Sequence, residues 1–417
     1  MSLDVYLYGE RIGILSPAGQ GDCEFAYSKN CLERFGSGAP VLSTSLPTTD
    51  QPYSPRATKA FVEGLLPEGM RRLKLARELG IDPGDGYGLI AEIGRDCVGG
   101  AVFLPRDDPA LYLAPSIAWV GDNELEELVC APPPRLFDPE RPQRMRSALP
   151  GVRHKLSLTR PRPGGRWAWP QAGMPSTHIV KPETGEYPEM VPNEMFCTTV
   201  VREAGLFVAS AVVETIAGRP CLVSERFDRT REHREVKQLH QESFSQALSF
   251  APDADPDSEE ADGPGFAESC GLLRAVGQEK RITNLLAATL CDYILGNGDA
   301  HGRNFALMVV PEGSLLAPFY DIVSNAVYDD PTHVGMTIAE DYAETAYLLE
   351  LAEICEEGRI DFEHCRRVAA NVSVSMSRAL ETVAEQARSE GWHAPVIDGI
   401  LEFATERALN LGYEVQY

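Results

Sequence analysis

Residues 291–325, CDYILGNGDAHGRNFALMVVPEGSLLAPFYDIVSN, decide the fold because regular elements alternate there with short polar turns. Apolar residues that recur at spacings of three and four up to Tyr293 predict a helix. The sequence GNG at 296–298 predicts a tight turn, and the apolar run 305–310 predicts a strand. Polar side chains therefore follow the ends of short elements, where a rigid scaffold presents reactive groups.

Three of these polar residues have the types and the spacing that phosphoryl transfer requires. Four residues separate Asp299 from Asn304, and Asp321 follows the next predicted hairpin. The reaction needs one carboxylate that orients a hydroxyl and accepts its proton, and amide and carboxylate oxygens that hold Mg²⁺ on the phosphates. For this stretch alone, two turns capped by Asp and Asn are an equally good interpretation.

The composition is that of a globular protein with more than one domain. Of the 417 residues, 43% are hydrophobic and 24% are charged. No apolar run reaches the ~20 residues that cross a membrane, and the opening MSLDVYLYGE lacks the features of a signal peptide. The ten cysteines are scattered without CxxC pairs, so we expect a cytoplasmic protein with reduced thiols, no zinc site and no membrane partner.

The charge balance argues against direct nucleic-acid binding. The formal net charge is −24, so any DNA contact needs a local basic patch or a basic partner. The segment 251–265 contains six acids between Asp253 and Asp262 and no base. It is predicted to be an exposed acidic insert.

The chain divides by pattern into four parts. The pattern of residues 1–105 predicts a compact, β-rich N-terminal module. The segment 106–145 is rich in Pro and acids, and its pattern predicts a connector with one short strand and one short helix. Residues 146–228 predict strands with one helix, and 229–417 predict a mostly helical part that contains the insert.

Two segments of 146–228 carry residues that could contact a nucleotide. In 147–155, SALPGVRHK, a glycine and two cations fit a phosphate cradle, although a plain β-turn is the commoner source of such a pattern. Lys181 ends a predicted strand, and Glu194 opens a helix whose predicted N-cap is Asn193. That spacing fits the Lys–Glu ion pair of kinases, and a surface Lys is the alternative.

Several long motifs in one order resemble the HipA family of serine/threonine kinases, the toxins of type II toxin–antitoxin pairs. The resemblance covers nearly the whole chain. Its motifs are STSLP, FVEGLLPEG, EIGRDCVGGAVFL, LPGVRHKLSL, HIVK, NEM, SERFDR, GNGDAHGRNF and PFYDIVS. It implies an α+β, two-lobed protein-kinase-like fold with a small β-rich N-terminal module and a mostly helical C-terminal lobe. Residues 146–228 would then be the kinase N-lobe and 229–417 the C-lobe.

The resemblance also implies roles for residues of this chain. Asp299 matches the catalytic Asp, His301 lies in the catalytic loop, and Asn304 and Asp321 match the Mg²⁺ ligands. The residues that match the ATP-binding positions, including the adenine-binding hinge at Glu225 and Phe227, are Leu149, Pro150, Gly151, Val152, Arg153, His154, Lys155, Lys181, Glu225 and Phe227.

The phosphate loop departs from the family pattern. The family often has an autophosphorylated serine three residues before the loop glycine, where this chain has Ala148, with Ser147 one residue earlier. The loop reads Val-Arg-His where the family usually has a central glutamine. Ser147 is therefore a hypothesis for an autophosphorylation site.

The implied function is that of an ATP-dependent protein serine/threonine kinase acting as a growth-arresting toxin. Its implied substrate is an aminoacyl-tRNA synthetase, glutamyl-tRNA synthetase above all. Its implied partner is a HipB-like helix-turn-helix antitoxin, through which it would meet DNA only indirectly. Alternatives are a catalytically weak regulator that binds an antitoxin, and a small-molecule kinase of the same fold. The retained Asp299, Asn304, Asp321 and Lys181 favour an active kinase.

Overall fold

The computed structural model describes residues 1–106, 117–130, 147–151, 153–170, 174–185, 187–232, 235–251, 263–310, 313–328, 336 and 351–414. The chain divides into two compact units. Unit 1 comprises Met1–Pro182, Thr215–Ala261 and Leu307–Gly313, and unit 2 comprises Glu183–Glu214, Asp262–Ala306 and Ser314–Tyr417. The chain thus passes between the units five times, and neither unit is one continuous segment.

The N-terminal part of unit 1 is an antiparallel sheet covered by short helices. Its strands are β1 (Leu3–Leu7), β2 (Glu10–Gly19), β3 (Asp22–Tyr27), β4 (Asp96–Cys97) and β5 (Ala101–Pro105), and its helices are α1 (Lys29–Phe35), α2 (Pro55–Glu63), α3 (Gly69–Leu79) and α4 (Gly86–Ile93). The sheet has the order β3-β2-β1-β5. Alternate residues such as Val5, Leu15 and Phe25 are buried against Phe61 and Ile90, so one face of the sheet forms the core.

The remainder of unit 1 contains a second antiparallel sheet. The elements from here to residue 247 are β6 (Ala118–Trp119), α5 (Asp122–Val129), β7 (Ser147–Ala148), β8 (Leu156–Leu158), β9 (Ala168–Trp169), β10 (His178–Pro182), α6 (Met190–Glu203), β11 (Ala211–Ile216), β12 (Arg219–Glu225), β13 (Arg229–Glu232), β14 (Glu235–Gln238), β15 (His240–Ser243) and α7 (Phe244–Ala247). Within unit 1 the strands of this sheet have the order β12-β10-β8, with Lys181 opposite Leu222. The parallel pair β4–β7 joins the N-terminal module to the start of this region.

Unit 2 is mostly helical. Its elements beyond α6 begin with α8 (Phe266–Ala275) and α9 (Ile282–Leu295) and end with α10 (Leu351–Gly358), α11 (Phe362–Glu390) and α12 (Pro395–Glu414); β16 (Ala306–Val310) and β17 (Gly313–Leu316) lie where the chain passes between units. From Leu285 to Leu295 nearly every residue of α9 is buried, because α11 and α12 pack against it. Within the ranges described, no helix is both long and apolar enough to cross a membrane.

Helix α6 begins earlier than the sequence predicts. Asn193 is not its N-cap, because the helix starts at Met190 after Glu189, whose φ is +62°. The Glu183 carboxylate accepts hydrogen bonds from Met190 N at 3.3 Å and Val191 N at 3.0 Å. These bonds satisfy amides that a helix start leaves unpaired. Because Glu183 caps the helix from outside, the sequence shows no capping residue next to the true start, and Asn193 is predicted as the N-cap instead.

The segment 240–247 belongs to unit 1, although the sequence predicts it within the helical part 229–417. The buried carboxylate of Glu242 accepts a hydrogen bond from Thr44 N at 2.9 Å and another from Ser43 Oγ. Gln246 Nε2 donates to Phe61 O at 2.8 Å. Sequence periodicity does not specify hydrogen-bond partners that lie so far apart in the chain. The other predicted domain boundaries stay predictions. The acidic insert lies almost entirely outside the described residues, as does most of the connector.

A buried ionic network follows strand β12. Asp228 pairs with Arg226 at 2.7 Å and with Arg229 at 3.1 Å, and Arg229 also reaches Asp96 at 3.3 Å. These four side chains are at most 3% exposed. Burial raises the pKa of Asp228, but the two guanidinium groups outweigh it and hold this pKa well below its usual range. The network therefore joins the segment after β12 to β4 of the N-terminal module.

Candidate active site

A left-handed glycine ends helix α9 and opens the predicted catalytic loop. Gly296 has φ +67°, and its N–H satisfies the carbonyl groups of the last helical turn. A Cβ at this position would lie 2.6 Å from Phe403 Cε1 and 2.7 Å from Ala326 Cβ. Gly296 O accepts a hydrogen bond from Asn325 N at 2.9 Å. Only glycine fits this conformation and this space, so the chain leaves the helix here in a fixed direction.

A hydrogen-bond chain connects the buried helix to the loop. Asn297 Nδ2 donates to Asp292 Oδ1 at 2.8 Å, and Asn297 Oδ1 accepts from Asp299 N at 3.2 Å. Burial raises the pKa of Asp292 to about 7, although the bond from Asn297 opposes that rise. Asn297 thus fixes the backbone of Asp299 from inside the core. Asp292 was not predicted as a site residue.

The carboxylate of Asp299 combines a fixed backbone with access to solvent. Its side chain is 42% exposed, and Oδ1 lies 3.3 Å from Nε2 of His301, which is 17% exposed. Within the loop, His301 N donates to Asp299 O at 2.9 Å. A general base needs this combination, because it must reach a substrate hydroxyl in a defined direction. The geometry is compatible with the roles predicted for both residues, which stay predictions.

The side-chain amide of Asn304 is oriented by the same loop. Its Nδ2 donates to Asp299 O at 2.6 Å, and its backbone N donates to His301 O at 2.8 Å. Because Nδ2 is directed at the loop, Oδ1 is the amide atom suited to a metal. Amide oxygen is a ligand that Mg²⁺ accepts.

Asp321 stands close to this loop in an uncommon backbone conformation. Its φ is +58°, in the left-handed region that few non-glycine residues adopt. Tyr320 OH donates to Arg303 O at 2.9 Å, which ties the residue before Asp321 to the residue before Asn304. One carboxylate and one amide oxygen fit a Mg²⁺ whose other ligands are phosphates and water. Among the described residues, no group of three or more His, Cys, Asp and Glu forms a metal cluster.

Asn193 holds the segment that follows Asp321. Its Nδ2 donates to Ser324 O at 2.9 Å, and its Oδ1 accepts from Ser324 N at 2.9 Å. Both side chains are fully buried. Helix α6 thus clamps the backbone three residues beyond the predicted metal ligand. A polar residue at a buried helical position is the signal that could have identified this role.

The predicted phosphate loop lies in unit 1. Gly151 has φ +95°, and a Cβ there would lie 2.7 Å from Nζ of Lys155, so glycine leaves room for the ammonium group. Arg71 of α3 donates to Leu149 O at 3.0 Å and to Lys155 O at 3.4 Å. The N-terminal module therefore holds both ends of the loop. Neither helical periodicity nor the loop motif predicts the role of Arg71.

Burial changes the charge properties around this loop. His154 Nε2 hydrogen-bonds to Leu128 O at 3.0 Å, and burial lowers the pKa of His154 below its ordinary value. The imidazole is therefore neutral near pH 7. Burial lowers the pKa of Arg71 to about 10, so its guanidinium group keeps its charge. Pro150 and Arg153 are half-buried, and Val152 lies outside the described residues.

The other predicted nucleotide contacts occupy strands or strand ends of unit 1. Lys181 is in β10, and Glu225 ends β12 with an exposed side chain. Phe227 is half-buried in the turn that follows. The backbone of Ser147 pairs with Asp96. Glu194 belongs to unit 2, so its ion pair with Lys181 stays a prediction.

Comparison with known families matches both parts of the chain. The family described as HipA-like C-terminal domain matches residues 147–390, which is more than half of the chain. The chain belongs to the HipA family. The family described as HipA N-terminal domain matches residues 3–104. The recognition made from the sequence motifs is confirmed.

Individual relatives agree with HipA membership. Y4mE, a candidate kinase of Sinorhizobium fredii, is 34% identical over 338 residues, which cover 79% of this chain and 78% of Y4mE. The serine/threonine-protein kinase toxin HipA of Shewanella oneidensis is 28% identical over 370 residues, which cover 84% of this chain and 82% of that protein.

A solved structure confirms the predicted fold class. The chain is similar to a structure of the Shewanella oneidensis MR-1 toxin–antitoxin system containing HipA, HipB and operator DNA. The TM-score is 0.79 at 23% identity, and the match covers 99% of this chain and 96% of that one. The α+β, two-lobed protein-kinase-like class is therefore confirmed. HipA membership implies, in general, use of ATP and a divalent cation.

Proposed function

We propose that this HipA-family protein is an active, ATP-dependent protein serine/threonine kinase that arrests growth. The observation that carries the proposal is the catalytic loop. Asp299 presents a solvent-accessible carboxylate 3.3 Å from His301, and Asn304 is hydrogen-bonded to the same loop. A protein that only binds nucleotide has no need for this arrangement of base and metal ligands.

The residues of the loop divide the chemical work. Asp299 accepts the proton of a substrate serine or threonine hydroxyl as its oxygen attacks the terminal phosphoryl group. His301 orients that carboxylate, and Asn297 holds the backbone of Asp299. Asn304 and Asp321 would hold Mg²⁺, which neutralises charge on the phosphates when it is bound. In unit 1, Lys155, Lys181 and the loop amides would bind the phosphates.

The partner in this proposal is a HipB-like helix-turn-helix antitoxin. The Shewanella structure contains HipA together with HipB and operator DNA. A net charge of −24 makes this chain a poor ligand for DNA, so a basic partner would supply the operator contact.

The substrate in this proposal is an aminoacyl-tRNA synthetase, with glutamyl-tRNA synthetase first among them. Phosphorylation of a serine near the ATP site of a synthetase would stop tRNA charging. The N-terminal module, matched over residues 3–104, favours a toxin over a small-molecule kinase of the same fold.

The decisive experiment offers labelled Mg-ATP and a panel of purified synthetases to the protein. We expect label on one synthetase with the natural chain and none with Asp299→Ala. Incorporation by the Asp299→Ala variant would overturn the catalytic assignment. Label on a sugar or other metabolite in a parallel screen, with no labelled synthetase, would replace the proposal with a small-molecule kinase.

A further inference from the structure

A carboxylate of the N-terminal module is hydrogen-bonded to a backbone amide of the predicted phosphate loop. Oε1 of Glu68 accepts a hydrogen bond from Gly151 N at 3.1 Å. Glu68 is the N-cap residue of α3, yet its side chain makes no capping bond to that helix. Its carboxylate is therefore directed at another part of the chain, in contrast with the usual use of an N-cap side chain.

The amide that Glu68 contacts lies in surroundings suited to an anion. Gly151 has positive φ, and Nζ of Lys155 lies 2.7 Å from the position of a Cβ on this glycine. Backbone N–H groups of such turns, beside a lysine, bind phosphate oxygens. A carboxylate oxygen on the Gly151 amide resembles a phosphate oxygen in charge and in hydrogen-bonding role.

We propose that Glu68 is an internal anion that competes with the nucleotide phosphates for the Gly151 amide. This inference rests on the proposed function, because it assumes that the loop binds a nucleotide. Phosphate binding then requires Gly151 N to exchange the Glu68 carboxylate for a phosphate oxygen. Arg71, three residues along the chain from Glu68, holds Leu149 O and Lys155 O during this exchange. The N-terminal module thus both fixes the loop and limits its affinity for nucleotide.

Two substitutions separate competition from simple support of the loop. Glu68→Gln keeps the shape of the side chain and removes its charge, so the hydrogen bond to Gly151 N weakens. We expect it to bind a non-hydrolysable Mg-ATP analogue about tenfold more tightly than the natural chain. Arg71→Gln loses the two bonds that fix the loop ends, and we expect it to bind the analogue more weakly.

Arg72→Gln is the matched control. Arg72 is the next residue of α3, and it pairs with Glu63 and donates to Pro83 O at 2.6 Å, all within the N-terminal module. We expect its affinity for the analogue to equal that of the natural chain. Titration calorimetry measures all four proteins. Equal or weaker binding by Glu68→Gln, with normal binding by the natural chain, overturns the inference alone. Absence of binding by all four overturns nucleotide binding and the inference with it.

Hydrogen–deuterium exchange tests the same contact without nucleotide. We expect peptides covering 149–155 to exchange faster in Glu68→Gln than in the natural chain and in Arg72→Gln, because Gly151 N loses a strong acceptor. Unchanged exchange in Glu68→Gln would show that the carboxylate does not hold the loop, and would reject the proposal whatever the nucleotide affinity.

Discussion

At the scale of single residues, Asp299 is the group on which the proposed chemistry depends. Its carboxylate is 42% exposed, so its loss leaves no buried cavity. We expect Asp299→Ala to lower phosphoryl transfer by about 10²–10⁴-fold, because a general base contributes that much. Thermal unfolding and nucleotide binding are the controls, and both should match the natural chain. A fully active variant would assign the base to another residue.

The buried carboxyl group of Asp292, which accepts a hydrogen bond from Asn297 of the predicted catalytic loop, makes the stability of the folded chain depend on pH. Its pKa in the folded chain is about 7, above the ordinary value of an Asp, because the residue is buried. The folded chain therefore holds a proton that the unfolded chain releases, so stability falls as pH rises from about 4 to 7. Asp292→Asn removes this loss. We expect its unfolding temperature to exceed that of the natural chain by several degrees at pH 8.

The pH series contains its own control. At pH 3 both folded and unfolded Asp292 are largely protonated, so the two unfolding temperatures should nearly coincide. A difference that is constant between pH 3 and pH 8 would show that the substitution acts through packing and not through charge.

A further prediction concerns Ser147, because the predicted phosphate loop departs from the family pattern beside this residue. If this residue accepts phosphate, incubation with Mg-ATP should give a phosphorylated peptide, and Ser147→Ala should not. Mass spectrometry measures the site directly, with Asp299→Ala as the control for catalysis. An unphosphorylated Ser147 in the active protein would reject self-modification at this position.

At the scale of elements, the end of α9 is a tightly constrained feature of the predicted site. In Gly296→Ala, residue 296 would keep a positive φ, and its new Cβ would lie 2.6–2.7 Å from atoms of Phe403 and Ala326. Gly391 ends α11 with φ +78° and has open space around it, so Gly391→Ala is the matched control. We expect the control to cost about 1–2 kcal/mol from backbone strain alone. Denaturant unfolding should show a larger loss for Gly296→Ala, and equal losses would contradict the argument.

The elements that local patterns determine could be predicted from the sequence. Helix α9, the turn at Gly296 and strand β16 follow from apolar spacing and small residues, and the structure has all three. The start of α6 could not be predicted, because Glu183 caps it from outside the helix. The bonds from Asn193 to Ser324 and from Arg71 to the phosphate loop join residues far apart in sequence, and no local periodicity specifies them.

At the scale of the whole molecule, the ionic network after β12 connects parts of unit 1 that are distant in sequence. Asp228→Ala would leave Arg226 and Arg229 buried without their shared carboxylate. We expect unit 1 to lose about 3–5 kcal/mol, the usual cost of removing one member of a buried ion pair. Denaturant unfolding measures this loss. Glu232→Gln, which breaks the exposed pair with Lys237, should have little effect, and a similar loss there would show that burial is not the cause.

The five passages between units have a consequence for protein synthesis. Ribosomes deliver a chain from its N-terminus, at roughly 5–20 residues per second. Unit 1 needs Leu307–Gly313, so it cannot be completed before two stretches of unit 2 have emerged. Asp321 is translated only after Leu307–Gly313. A nascent chain that has just completed unit 1 therefore still lacks a predicted metal ligand, so we expect the proposed activity to be absent until residue 321 of the 417 has been translated.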